Sequence, residues 1–138
     1  MASSNLDLVR RFFDARKRGD EVAALELLAP DVEVDLTESD SPYRGTYRGH
    51  AEIRELWDEM GDSLSENWVE IEQELVVGNR VIVGVRHYMR GRSSGIQAAA
   101  RGAQVLRVLD GAIVAIKLFQ TMDAAREALG MPPDNAQA

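Results

Sequence analysis

The chain has 138 residues, of which 45% are hydrophobic and 28% charged, values that fit one domain around one core. A formal net charge of -7 argues against nucleic acid and anionic membrane surfaces as partners, since both recruit positive charge. With no cysteine there is no thiolate chemistry and no disulfide, and the cytoplasm is the expected compartment.

The elements follow in chain order. LDLVRRFFDARKRG places Leu6, Val9 and Phe13 at helical spacing, with Leu8 and Phe12 beside them. Ser4 or Asn5 is its expected cap and Gly19 its stop. Asp20 caps a second helix, EVAALELLA, ended by Pro30. DVEVDL alternates as a half-buried strand, with Val32, Val34 and Leu36 opposed to Glu33 and Asp35. TESDSPYRGTYRG is expected to be loop. HAEIRELWDEM carries Ile53, Leu56, Trp57 and Met60 at i, i+3, i+4 and i+7, an amphipathic helix that Gly61 should end. WVEIEQELVV, RVIVGVRHYMR, IQAAARGAQVLRVL and AIVAIKLFQ are strands, joined at Gly78-Asn79, at GRSSG and at Asp110-Gly111. Thr121 or Asp123 opens a short closing helix through Leu129. Residues 1–130 form a single domain, and 131–138 are expected to be a frayed tail. No apolar run approaches the roughly 20 residues of a membrane span, and MASSNLDLVRR lacks the pattern of a signal peptide.

Strand parity sorts the side chains. The apolar phase expected to face the helices is Val69, Ile71, Gln73, Leu75 and Val77, then Val81, Val83, Val85, His87 and Met89. The third and fourth strands add Ala98, Ala100, Gly102, Gln104, Leu106 and Val108, then Val114, Ile116, Leu118 and Gln120. Four polar groups interrupt this lining: Gln73, His87, Gln104 and Gln120. A buried polar group without a partner costs about 1–3 kcal/mol, so they pair with one another and the backbone or they line a cavity. Apolar walls with a few convergent polar groups describe a small-molecule pocket. Asp35 and Glu33 have the opposite phase and should face solvent or a partner subunit unless a bulge flips the register.

The order of elements resembles the SnoaL-like branch of the nuclear transport factor two-like superfamily. RGDEVAALELLAPDVEVDL, YRGTYRGHAEIRELWDEM, GNRVIVGVRHYMRGRSSG and LRVLDGAIVAIKLFQTMDAAREALG carry the likeness, over about residues 5 to 130. The resemblance implies an α+β fold: a cone-shaped, curved, mostly antiparallel sheet packed on three main helices, with a short C-terminal helix. It implies a pocket for a small apolar ligand, and either a cofactor-independent isomerase, cyclase or dehydratase working by proton transfer or a binding protein without turnover. Against ketosteroid isomerase, which resembles the fold, the base position falls on Leu36, the oxyanion tyrosine on Phe12 and the late acid on Gln104. Leu36 and Phe12 cannot do that chemistry; Gln104 can still donate a hydrogen bond. The Asp–Arg–Asp set that limonene epoxide hydrolase needs is not visible on the inward face.

His87 is the one titratable group of the inward phase and the first candidate for moving a proton. Its plain alternative is a half-exposed histidine near a strand end. Asp35 is the second catalytic candidate, should its strand turn inward. Gln104 either orients a ligand oxygen or pairs with Gln73 or Gln120 inside the core. Phe12, Leu36, Leu118 and Trp57 are candidate walls, and Trp57 equally suits simple core. Tyr43 and Tyr47 are expected either to close over the cavity mouth or to anchor their loop. No metal site is expected from two distant histidines, no cofactor is called for, and the outer sheet residues Ile82, Tyr88, Ala99, Val105 and Phe119 suit a homodimer.

Overall fold

The computed structural model describes residues 2–39 and 41–132, with side chains from residue 5. Asp40 and the expected tail from residue 133 lie outside the described residues. Four helices and six strands occur in the order α1 (Ala2–Arg18), α2 (Glu21–Glu26), β1 (Leu28–Asp35), β2 (Thr46–Arg48), α3 (Gly49–Ser63), β3 (Leu64–Val77), β4 (Arg80–Gly91), β5 (Gln97–Leu109), β6 (Ala112–Phe119) and α4 (Met122–Ala128). The strands form one sheet in the order β2-β1-β6-β5-β4-β3. Among the described residues only β1 and β6 run parallel; the other pairings are antiparallel. The α+β architecture expected from the sequence is the one found.

Local chemistry accounts for most boundaries. Asp20 caps α2, its carboxylate accepting from the Ala23 N–H at 3.1 Å. Thr121 does the same for α4, accepting from the Ala124 N–H at 3.0 Å. Asp110 and Gly111, at φ 51° and 77°, make the tight β5–β6 hairpin that their positive-φ tolerance predicts. Other boundaries moved. Helix α1 already runs from Ala2, so Ser4 and Asn5 lie within it rather than capping it. Helix α2 stops at Glu26 and Pro30 sits inside β1, where its missing N–H is tolerated beside a register shift. Gly61 does not end α3, which runs on to Ser63. The presumed loop before α3 contains β2, whose Tyr47 pairs with Val34.

Two bulges redirect the inner face. In β3, Ile71 stands opposite Val85 but Gln73 opposite Gly84, leaving Glu72 as an extra residue. Beyond it the phase is reversed. Gln73 is therefore exposed on the outer side, and Leu75 and Val77 pack there with Ile82, contrary to strict alternation. Glu74 turns inward instead and accepts from Nε and Nη2 of Arg10, both at 2.7 Å, tying α1 to the sheet. In the second bulge, Arg107 pairs with Ala115 and Val108 with Ile113, so Ile113 rather than Val114 enters the core.

The main core lies between the concave sheet face and α1, α2 and α3, where Val9, Ile53, Val81, Val83, Leu106 and Ile113 are fully buried. A second core lies on the convex face beneath α4, formed by Ile82, Ala103, Val105, Phe119 and Ala125. Gly84 makes room for that helix: a Cβ there would stand 3.2 Å from the Met122 side chain and 3.3 Å from Gln73 Cβ.

Candidate functional site

Helix α1 presents Val9, Phe12, Phe13 and Arg16 at i, i+3, i+4 and i+7, one stripe facing the sheet. The stripe ends in a cation. On α3, Trp57 follows the buried Leu56 and lies against Phe12, with ring centroids 6.4 Å apart. The Arg16 guanidinium carbon sits 4.0 Å above the centre of the Trp57 ring. Burial lowers the Arg16 pKa to about 10, partly offset by Glu21, so it remains charged at neutral pH.

His87 keeps the inward phase of Val81, Val83 and Val85, as expected, and is half-buried. Its Nε2 donates to Oδ1 of Asn67 on β3. Asn67 is the residue that the sequence reading missed, because β3 begins four positions earlier than Trp68; it lies two before the inward Val69 and so shares its face. A donating Nε2 leaves Nδ1 as the unprotonated nitrogen of the neutral ring, the lone pair a general base needs. Burial first, and repulsion from Arg16 second, depress the His87 pKa below its ordinary 6.5, which keeps that base free at neutral pH.

The same shift has a stability consequence. The unfolded chain binds a proton on His87 at higher pH than the folded chain does, so stability rises with pH across that interval. The contribution is complete above about pH 6.5 and is lost as pH falls from there through the lower folded pKa. We expect His87→Gln to flatten this part of the stability–pH curve in denaturant titrations, and an imidazole NMR titration of the wild type to give a midpoint below 6.5.

The other expected site residues fall into separate groups. Gln104 does face inward, paired with Val83 and Leu118. Val83 is four residues from His87, so the two Cα positions are roughly 13 Å apart along the strand direction. Leu36 follows β1 in the phase of Val34 and, like Leu118, is half-buried. Tyr47 faces inward from β2 and donates to the Tyr43 carbonyl at 2.6 Å, which anchors the half-buried Tyr43 loop. Three candidates point elsewhere. Asp35 lies on the convex side, where the Thr37 N–H and hydroxyl donate to it at 2.9 and 2.6 Å and Lys117 stands 3.6 Å away. Burial alone would raise its pKa, but those partners hold it below the usual value, as befits a paired structural carboxylate. Gln73 is outside because of the β3 bulge. Gln120 is exposed and donates to the Glu38 carbonyl at 2.8 Å, pinning the loop after β1.

On strands β3–β6 the inner phase holds one carboxylate, Glu74, and Arg10 occupies it. The neighbourhood of His87 is therefore cationic and aromatic. It is also open on one side: Ala100, opposite His87, and Ala98, opposite Met89, are exposed although they belong to the inward phase. The β4–β5 ribbon runs past the end of β6, and among the described residues this shelf of small side chains is left uncovered. Two other concavities lie nearby. One, of about 330 Å³, lies between α1 and β3 around Phe13, Lys17 and Ile71. The other, of about 410 Å³, lies at the far end of the β4–β5 ribbon, where residues of both faces, Trp68, Tyr88 and Ala99 with Met89 and Ala98, line it. Among the described residues no three His, Cys, Asp or Glu side chains gather as a metal site, and no helix is long and apolar enough to cross a membrane.

The family model for the SnoaL-like domain matches residues 9–116. The chain belongs to the SnoaL-like family. An NTF2-like protein of unknown function from Burkholderia pseudomallei K96243 is 24% identical, with TM-score 0.78, covering 90% of this chain and 95% of that one. TerC, co-crystallised with polyporic acid, is 19% identical, with TM-score 0.76 and coverage of 92% and 98%. A putative polyketide cyclase from Xanthomonas campestris pv. campestris is 21% identical, with TM-score 0.71 and coverage of 89% and 94%. No curated protein matches the chain significantly. At these identities the solved structures speak to fold, and in this SnoaL-like chain the site has to be read from its own side chains.

Proposed function

We propose that the protein binds a small, largely apolar ligand bearing a carbonyl or hydroxyl on the inner sheet face, and that it acts there as a cofactor-independent isomerase, cyclase or dehydratase. His87 moves the proton through Nδ1. Trp57 and Phe12 wall the ligand, and Gln104 orients a second oxygen if the ligand is long enough to span from one group to the other. The carrying observation is His87 on the inner face, bonded through Nε2 to Asn67 Oδ1, where burial and Arg16 depress its pKa. Asp35 takes no part, since the sheet separates it from His87. The likeness to a putative polyketide cyclase and to TerC with polyporic acid supports a flat, oxygenated ligand. Solvent-deuterium uptake at the α-carbon of 2-tetralone tests the reading. Acceleration above buffer is expected, whereas saturable binding without acceleration would favour the second reading, a carrier without turnover, which is supported by strands β3–β6 holding on their inner phase a single carboxylate, Glu74, already taken up by Arg10.

We also propose that the protein works as a homodimer in the cytoplasm. The pairing surface is smaller than the sequence suggested, because α4 already covers Ile82, Val105 and Phe119. What remains is the stacked Trp68–Tyr88 pair, with centroids 4.3 Å apart, next to the exposed Ala99. Light scattering should give twice the chain mass, and Trp68→Glu should halve it; a monomer at all concentrations would overturn the pairing.

A further inference from the structure

We propose that Arg16, over the Trp57 ring, is an anion-recognition element, so that the ligand of the inner-face site is an aromatic or polycyclic oxyanion, a carboxylate or an acidic enol. This rests on the inner face being the ligand site and adds the charge of what it takes.

Six other arginines are each held by an acid. Arg10 is held by Glu74, Arg18 by Asp14, Arg48 by Glu33, Arg54 by Glu21, Arg90 by Glu66 and Arg101 by Glu72. Six more have no acid in ion-pair contact among the described residues: Arg44 and Arg92 donate to backbone carbonyls, Arg86 lies over the Tyr88 ring, and Arg11, Arg80 and Arg107 are exposed, where water solvates a cation that lacks a carboxylate. Arg16 is half-buried and has none in ion-pair contact among the described residues. The acid that acts on it electrostatically, Glu21, stands 3.3 Å from Arg54. No described hydrogen bond reaches the guanidinium, whose central carbon stands 4.0 Å from the Trp57 ring centre.

A guanidinium carries its N–H donors in its own plane, and a ring contact through its π-face leaves those donors unused. The donor edge matches a carboxylate or a 1,2- or 1,3-dioxygenated ring with two parallel hydrogen bonds. Trp57 and Phe12 supply the flat apolar wall beside it. His87 is close enough for Arg16 to repel its proton, and it is itself uncharged at neutral pH, so the positive charge of the site rests on Arg16. The roles then divide: Arg16 holds the oxyanion, including one that forms when a proton leaves carbon, and Nδ1 of His87 carries the proton. An overall charge of -7 repels anions, so any preference for an anionic ligand has to come from a local cation of this kind.

The test compares 2-naphthoate with the isosteric neutral 2-naphthamide by calorimetry on the full chain. The wild type should bind the carboxylate at least about tenfold more tightly. Arg16→Met, which keeps the stem on Trp57, should lose that preference while its affinity for the amide is unchanged; Arg16→Lys should retain only part of it. Equal affinities in the wild type, or a preference that survives Arg16→Met, would overturn the anion reading and leave the pocket reading standing. Binding of neither probe would remove the pocket reading and this inference with it. Should Arg16→Met not fold, the 15N resonance of Arg16 Nε in the wild type decides, since it has to shift with naphthoate and stay in place with naphthamide.

Discussion

Replacing His87 with alanine is expected to lower proton-transfer turnover by about 10²–10⁴-fold, the range that a positioned general base contributes. The fold should survive, because His87 is half-buried on the open stretch of β4, opposite the exposed Ala100, and its bond to Asn67 joins two strands already paired along their length. Asn67→Ala should act through His87. Without the acceptor on Nε2 the neutral ring populates both tautomers, so the rate should drop by a smaller factor with ligand affinity unchanged, and Asn67→Asp should instead raise the His87 pKa and move the acid limb of the rate profile upward. Deuterium uptake and circular dichroism on the same samples make the check. If His87→Ala exchanged protons as fast as the wild type, the base would have to be sought elsewhere.

The second large effect concerns the convex core. Phe119→Ala should destabilise the protein by about 3–5 kcal/mol, the usual cost of truncating a buried aromatic residue. Phe119 is 7% exposed and packs in the cluster of Ile82, Ala103, Val105 and Ala125 that α4 seals. A seven-residue helix cannot persist in water alone, so it depends on that contact, and its loss should uncover the apolar convex face. Chemical denaturation should show the midpoint falling, while ligand affinity of the remaining folded protein stays unchanged, since the concave core is on the other side of the sheet. An equal loss of affinity would mean that the two faces are coupled.

Several of these features were legible in the residues alone. The phase of β4 put His87 inward, and that of β5 did the same for Gln104, because both strands run without interruption through those positions. Asp35 was rightly assigned away from the helices by alternation in DVEVDL. Arg16 was also within reach of the sequence: it completes the stripe of Val9, Phe12 and Phe13, but a charged residue at the end of an apolar stripe is easily read as the start of the solvent side. Gln73, Leu75 and Val77 were misassigned for a physical reason. A bulge inserts one residue and reverses every later side chain, and nothing in WVEIEQELVV marks where it falls.

By itself, then, the sequence determined the α+β class, the family likeness, the hairpin at Asp110-Gly111 and the cap at Asp20, the last two from neighbours a few residues away, while the choice between Thr121 and Asp123 as the cap of the closing helix fell to Thr121 in the structure. Tertiary structure alone decided that Asn67 sets the His87 tautomer, that Arg10 takes up Glu74, that α4 covers the convex face and that Arg16 lies on Trp57. Those contacts join residues from 20 to 64 positions apart in the hydrogen-bonded cases, and local periodicity carries no information about which side chains meet across such loops.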